Sequence, residues 1–331
     1  MKSLFDGKPT DRLLLQPICM TFAARVAGVS YYDYVSDYRV LVETQLRTVE
    51  EFGLDVVTLC SDPAREAADC GAEVRWFPDQ PPAHDPQNAL LKEKWQLRTL
   101  KQPDPLGGGR MHDRVKGAAL FREEVGGDVP ILGWIEGPMA EAADLRGINE
   151  IMLDVSDDPE FVRALFEFIT EMEIAFARAQ IEAGVDVMGI GDAAASLVGR
   201  RVYRELVLPY ERRMIEAIHA MGCAVRLHIC GNVNHLLDDI ATLDLEMVDI
   251  DCLTDIRLAR EKLPQHVAVL GNMDPVRYLL DGTPDAVLAK LKSDHETIGR
   301  FYVAGPGCEV PPKTPYENIR VMREYVESVS P

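Results

Sequence analysis

Short apolar runs recur along the chain, separated by longer stretches in which apolar residues return every third or fourth position. The runs are "LLLQPICM" (13–20), "DVVTLC" (55–60), "VPILGWI" (129–135), "DVMGIG" (186–191), "AVRLHIC" (224–230), "MVDIDC" (247–252), "VAVLGN" (267–272) and "RFYVAG" (300–305). They read as eight strands, and the gaps of 14 to 68 residues each leave room for a crossover helix. The clearest helix covers 158–184 and ends at Gly184; 36–53 is similar, with Gly53 at its end. Eight strand–helix units predict an α/β fold, the (β/α)8 TIM barrel. A doubly wound sheet is the rival, but no early GxGxxG accompanies it. Without an internal repeat or a dividing linker, residues 1–331 read as a single barrel domain with a short N-terminal extension. "GGGR" (107–110) is either a flexible surface turn or a mobile lid.

Polar residues gather where the apolar runs stop. Ser61-Asp62, Glu136-Gly137-Pro138, Asp192, His228 with Cys230, Asp251-Cys252, Asn272 with Asp274, and Cys308-Glu309 all close or follow a run. In a barrel these positions share one rim, the face on which active sites are built.

Composition narrows the classes. The chain has 331 residues, is 47% apolar and carries 54 acidic against 35 basic side chains, a formal charge of -19. That balance, with no basic stripe, argues against nucleic-acid binding. No apolar stretch is long enough to span a membrane, and the start "MKSLFDGKPTDR" lacks a signal-peptide core, so a cytoplasmic protein is expected. Seven cysteines spread over this length suit reduced thiols, each a packing residue or a ligand.

The candidate chemistry begins with "RLHICGNVNH" (226–235), where His228 and Cys230 occupy alternate positions and point to one side. Cys308, in "AGPGCEVPPKTP", follows the eighth run after small residues that permit close backbone approach. In a barrel, the fifth and eighth strands both reach the central cavity. One imidazole and two thiolates suit zinc and leave a position for substrate. The other reading of Cys308 is a small buried residue in a tight turn. Cys19, Cys60, Cys70 and Cys223 are expected to be packing residues, while Asp251 and Cys252 either orient a ligand or approach the metal as a fourth donor.

"LHICGN", "GNMDP" and "GPGCEVPP", with "GPMAEAADLRG" and "GIGDAAAS", resemble the uroporphyrinogen decarboxylase superfamily. More closely they resemble its zinc-dependent, corrinoid-linked methyltransferase branch, over about Pro17 to Tyr325. The resemblance implies a uroporphyrinogen decarboxylase-like barrel with zinc on His228, Cys230 and Cys308, working with a corrinoid (cobalamin-type) cofactor carried by a partner protein. The decarboxylases instead use an arginine-rich N-terminal motif and an aspartate. Here "ICMTFAARVAG" offers only Arg25, although Asp62 resembles that aspartate.

Two directions of methyl transfer fit such a site. Zinc can bind a thiol such as coenzyme M and present it to a methylated corrinoid. Alternatively it can act as a Lewis acid toward a small O-methylated, aromatic donor while cob(I)amide takes the methyl group. The second direction, O-demethylation, is the expectation, because the "ICGN", "IGDAAAS" and "GWIEGP" pattern resembles the demethylating enzymes. Glu136 is the candidate acid, on the same side of its strand as Trp134; its plainer reading is a strand-end acceptor of backbone hydrogen bonds. Asp192 is expected to hold the helix N-terminus that follows it. Asn272 and Asp274 position the metal shell or shape the rim. Tyr31, Tyr32, Tyr34 and Tyr38 either close over substrate, face the corrinoid protein or edge an ordinary helix. Porphyrinogen decarboxylation, a methionine-synthase-like zinc enzyme, and a structural or interaction protein without a shared metal pocket are the alternatives. A homodimer stays open.

Overall fold

The computed structural model describes residues 1–5, 7–8, 10–85 and 88–329. Its main sheet contains β1 (Leu14–Leu15), β2 (Val57–Thr58), β3 (Ile131–Glu136), β4 (Val187–Gly191), β5 (Ala224–Ile229), β6 (Met247–Ile250), β7 (Ala268–Gly271) and β8 (Tyr302–Ala304). Each falls inside one of the eight apolar runs except β3, which reaches one residue past its run to include Glu136. All neighbours are parallel, in the order β1-β8-β7-β6-β5-β4-β3-β2. The last seam, between β1 and β2, is closed through Asp55. Its N–H donates to the Leu15 carbonyl at 3.0 Å, and its carboxylate accepts from the Leu15 N–H at 2.6 Å and from Arg12. The expected (β/α)8 barrel is the observed fold.

Alternation along the strands divides two apolar populations. Leu14, Met247, Ala268, Leu270 and Val303 form one cluster, and Val56, Leu132, Trp134 and Val187 another. Their alternates, among them Leu15, Ile131, Ile135, Ile190, Val269 and Ala304, join the large cluster beneath the helices. The first populations therefore fill the barrel. The same parity turns Glu136, His228 and Asp249 inward at the C-terminal ends of β3, β5 and β6. The inward positions of β4 are Gly189 and Gly191. A Cβ on Gly189 would collide with the Trp134 indole, and one on Gly191 would lie 2.9 Å from Trp134 Nε1. Glycine in β4 thus makes the bed on which Trp134 lies.

The crossover helices follow their sequence signals. Asp158 accepts from the Phe161 N–H at 3.1 Å, and Pro159 opens the helix Pro159–Glu182, which buries Leu165, Ile169, Met172 and Phe176. Tyr38–Phe52 stops at Gly53, whose φ of 62° suits glycine. The N-terminal extension forms the short helix Lys2–Phe5, and Leu4 packs on Leu14, Met247, Leu270 and Val303 at the lower end of the barrel.

Two features depart from the sequence reading. Gly109 caps the helix Arg110–Val125, and the Asp69 carboxylate accepts from the Arg110 and Met111 N–H groups at 2.8 Å each. A Cβ on Gly109 would collide with Asp69. The end of "GGGR" is therefore a pinned helix start rather than a lid, while Gly107 and Gly108 form an exposed surface bend before it. A two-stranded antiparallel ribbon, Val74–Arg75 with Ala83–His84, also decorates the β2–β3 connection. Its strands are too short to show an alternating pattern. Among the described residues, no helix is long and apolar enough to cross a membrane.

Candidate metal centre

One transverse row of the barrel organises the site. Parallel pairing sets Glu136 beside Gly191, Gly191 beside His228, and His228 beside Asp249. All four face inward at the strand ends. Gly191 puts no side chain between Glu136 and His228, and Trp134 reaches into that space instead, with its ring 5.8 Å from that of His228.

Cys230 follows His228 as β5 turns away, and Cys308 arrives on the loop after β8. Its approach requires glycine at position 307, where a Cβ would collide with the Ile250 carbonyl. His228 Nε2 lies 3.0 Å from Cys230 Sγ, and the two sulfurs are 4.0 Å apart. The three donor atoms lie within 4.8 Å of one another. Tetrahedral zinc requires separations of about 3.8 Å between sulfurs and about 3.5 Å between nitrogen and sulfur. The donor set and its spacing fit that ion. Among the described residues, the group comprises these three alone. Asp251, whose carboxylate caps the Leu253 N–H at 2.9 Å, and half-buried Cys252 are not part of it.

The candidate ligands are held from behind. Asp249 accepts from His228 Nδ1 at 2.9 Å, which leaves Nε2 facing the sulfurs. Asp249 is in turn gripped by Arg226, with contacts of 2.8 Å and 2.7 Å to its two oxygens. Burial works to raise the Asp249 carboxyl, but Arg226 and His228 outweigh it and the net shift is downward. Within the trio, the hydrogen bond from Cys230 and the neighbouring His228 overcome burial and hold Cys308 at about 5. Burial alone would lower His228; Asp249 and Cys308 reverse that and lift it to about 9.

Glu136 stands at the other end of the row. Its Oε1 accepts from Arg65 Nη2 at 3.0 Å, and the same nitrogen reaches Glu66 at 3.0 Å. Burial, with Glu66 nearby, pushes Glu136 up to about 8 despite Arg65. Two carboxyl groups share one guanidinium, which together with burial favours a proton on one of them. Asp62 is different. Arg110 clasps both its oxygens at 2.7 Å and 2.9 Å, and Ser61 donates at 2.8 Å. Burial works to raise Asp62, but these partners hold it at about 2.

A model of the family "Uroporphyrinogen decarboxylase (URO-D)" matches residues 1–329. The chain belongs to this family. It is 26% identical to "Methylcobamide:CoM methyltransferase MtbA" of Methanosarcina acetivorans, over 97% of this chain and 94% of that protein. It is also 26% identical to "Uroporphyrinogen decarboxylase" of Syntrophotalea carbinolica, over 91% of this chain and 88% of that one. The solved "methyltransferase from Methanosarcina mazei" superposes with a TM-score of 0.88 at 24% identity, covering 98% of this chain and 96% of the other.

Other candidate residues in this uroporphyrinogen decarboxylase-family barrel serve its framework. Asp192 does not cap the turn that follows it; its Oδ1 accepts from the Ala140 N–H at 2.7 Å, three residues into the helix Pro138–Arg146. The side chain crosses to the neighbouring unit because Gly137 lacks a Cβ, which would strike Asp192. Asn272 bonds the Thr254 carbonyl at 2.7 Å and Lys290 at 2.9 Å, and Asp274 caps the Val276 and Arg277 N–H groups. Both shape the rim. Tyr31 and Tyr34 are buried, with their hydroxyls on the Ser61 and Cys60 carbonyls, while Tyr32 meets Trp76 on the surface. Arg25 bonds the Pro312 and Thr314 carbonyls and covers the Tyr316 ring. Asp249, Arg226 and Arg65 are the site residues that sequence reasoning missed. The parity of "MVDIDC" places Asp249 with Met247 and Asp251, but only the register against His228 gives it a role.

Proposed function

We propose that this chain is a zinc methyltransferase that passes a methyl group between a small methylated molecule and the cobalt of a corrinoid on a partner protein. The observation that carries the reading is the convergence of His228 Nε2, Cys230 Sγ and Cys308 Sγ at the mouth, with Asp249 behind the imidazole. This also favours methyl transfer over porphyrinogen decarboxylation, for which Arg25 is already committed to backbone carbonyls. A zinc ion there supplies Lewis acidity, stabilising a departing oxygen or keeping a bound thiol deprotonated.

The favoured direction is removal of the methyl group from an O-methylated, aromatic donor. Trp134 offers a flat apolar wall beside the metal ligands. Glu136 holds a proton at neutral pH: Oε1 is taken by Arg65, while Oε2 faces the space above Gly191. As the C–O bond breaks and the methyl group leaves for cobalt, the departing oxygen takes that proton. The reverse direction, methylation of a thiol, is the second reading, and the relatives named for CoM favour it.

The test is an absorbance assay with zinc-loaded protein, cob(I)alamin and a panel of methoxylated aromatics. Methylcobalamin forming with one donor, and not with Cys308→Ala, supports demethylation. Consumption of methylcobalamin only when a thiol is added supports the second reading. Inactivity both ways in a protein that retains no zinc defeats the proposal.

A further inference from the structure

Exposed apolar side chains rim the mouth on two opposite sides. In the closed order of eight strands, β2 stands four places from β6, directly across the barrel. On the β2 side, the Arg110 guanidinium that clasps Asp62 at the strand end stacks on the Trp76 ring, 4.8 Å from its centre. Tyr32 meets Trp76 edge-on at 5.4 Å, and Phe77 follows in the chain; all three are exposed. On the other side, Leu197, Leu253 and Val276 follow β4, β6 and β7. Leu197 and Leu253, each 64% exposed, are the most exposed large apolar side chains among the described residues, and Val276 is 51% exposed. Exposed apolar groups gathered in this way mark a surface that something covers.

The aliphatic side is tied to the candidate metal ligands. Gly231 follows Cys230, and its carbonyl accepts from the Thr254 hydroxyl at 3.0 Å, one residue from Leu253. A Cβ on Gly231 would come within 3.1 Å of Ser196 Oγ, one residue from Leu197. Asn272 donates to the Thr254 carbonyl at 2.7 Å, and Asp274 caps the Val276 N–H at 2.9 Å. Three turns joined around Cys230 thus each present one aliphatic side chain to solvent. Arg277 and Lys313 stand exposed on the same rim. Arg277 lies over the Tyr278 ring at 5.2 Å, and among the described residues neither cation is held in an ion pair.

An occupant that touches both sides has to be broad, and its middle has to reach the donors. Eight strands about 4.8 Å apart, tilted by about 36°, set opposite strands about 15 Å from each other. A methoxylated arene or a small thiol is too narrow to meet both rims. A corrin is a broad, nearly flat macrocycle with cobalt at its centre, methyl groups along its edge and carboxamide arms around it. We infer, resting on the methyltransfer reading, that the partner's corrin lies across the mouth with its edge on Tyr32, Trp76 and Phe77 at one side and on Leu197, Leu253 and Val276 at the other. The cobalt then stands above the three donor atoms. Arg277 and Lys313 are free to donate to carboxamide carbonyls, which matches their lack of a carboxylate. A second copy of this chain is a poorer occupant, because each copy carries a formal charge of -19 and like charges repel.

The experiment titrates zinc-loaded protein with methylcobalamin in the dark and measures bound corrinoid by ultrafiltration. Saturable binding of one corrinoid per chain is expected. Trp76→Ser and Leu253→Asp, on opposite sides of the mouth, should each weaken it about tenfold or more, since each removes a large apolar contact. Leu153→Asp, comparably exposed on the helix Ile148–Asp157 and in neither patch, should leave it unchanged. Zinc content should be the same in all four proteins. Absence of binding to the wild type, or weakening by only one of the two patch substitutions or by neither, would overturn the inference. A dimer in sedimentation that both substitutions split would show that a second copy covers the patches and would overturn it as well. None of these outcomes alters zinc content or methyl transfer in the absorbance assay, by which the methyltransfer reading stands or falls.

Discussion

Glu136 and His228 stand two strands apart in one row of the barrel, separated only by Gly191. The proposed acid and the proposed metal ligand therefore face a common space that no side chain of the intervening strand occupies. A methyl on Gly191 would lie 2.9 Å from Trp134 Nε1 and 3.1 Å from Glu136 Oε2. Gly191→Ala should cost about 1–3 kcal/mol by overpacking. Activity should fall further than stability does, because the crowding is at the site. Urea unfolding and turnover on the same samples check this; an unaltered rate would remove Gly191 from the account.

Metal content tests the donor set directly. Wild-type protein should hold about one zinc per chain, and Cys230→Ala or Cys308→Ala should retain less than roughly a tenth of that after dialysis. Cys252→Ala should retain it all. Elemental analysis distinguishes these outcomes without any assay of turnover.

Asp249→Asn should weaken metal affinity by about 10–100-fold, since the orienting acceptor behind His228 is lost. It also leaves Arg226 buried without its counter-charge, a loss of about 3–5 kcal/mol. Competition with a chelator measures the first effect and denaturant unfolding the second. Full metal affinity in this variant would mean that Asp249 serves only Arg226.

The raised carboxyl of Glu136 has two consequences in pH. In the unfolded chain it ionises near its ordinary 4.5, while in the barrel it keeps its proton up to about 8. The folded state thus binds more protons between those values, and its stability falls as pH rises through them. The wild-type Tm should drop relative to that of Glu136→Gln from about pH 5 to about pH 8. Demethylation should likewise fade above about pH 8, where the acid has lost its proton. A rate that stays flat through that range would exclude Glu136 as the donor.

Asp62 behaves in the opposite sense. Its carboxyl is depressed from 3.8 to about 2, so the stability it contributes is present above the unfolded value and lost as pH falls through the folded one. Acid titration of wild type against Asp62→Asn should show the wild-type advantage constant above about pH 4 and gone near pH 2. Parallel curves would mean that the clasp with Arg110 contributes nothing.

Most of the barrel was legible because each strand is buried on both faces and so reads as an apolar run. The strands are shorter than the runs, since residues such as Cys60 and Cys230 leave the ladder to form the rim. His228, Cys230 and Cys308 were legible from residue type and from the small residues before Cys308. Asp249 was not, because its role depends on which residue β6 sets beside β5. Arg65, in "SDPAREA", looks like an ordinary helix-start charge, and nothing local announces that it meets Glu136 across the mouth. Asp192 and the helix start at the end of "GGGR" were missed for a related reason. In each case a carboxylate caps a helix in another part of the chain, and contacts between distant segments leave no local pattern.

The helix Lys2–Phe5, seated with Leu4 against the lower layer of the barrel, acts as a stopper. With that layer filled, the metal-ligand candidates open only toward the strand C-terminal ends, and on the proposed reaction a corrinoid protein would have to dock at that same mouth. A small molecule and a macromolecule that share one entrance cannot arrive in either order. On the proposed reaction, the small one would have to be inside before the large one closes the opening, and what is left of it would have to wait for the large one to leave.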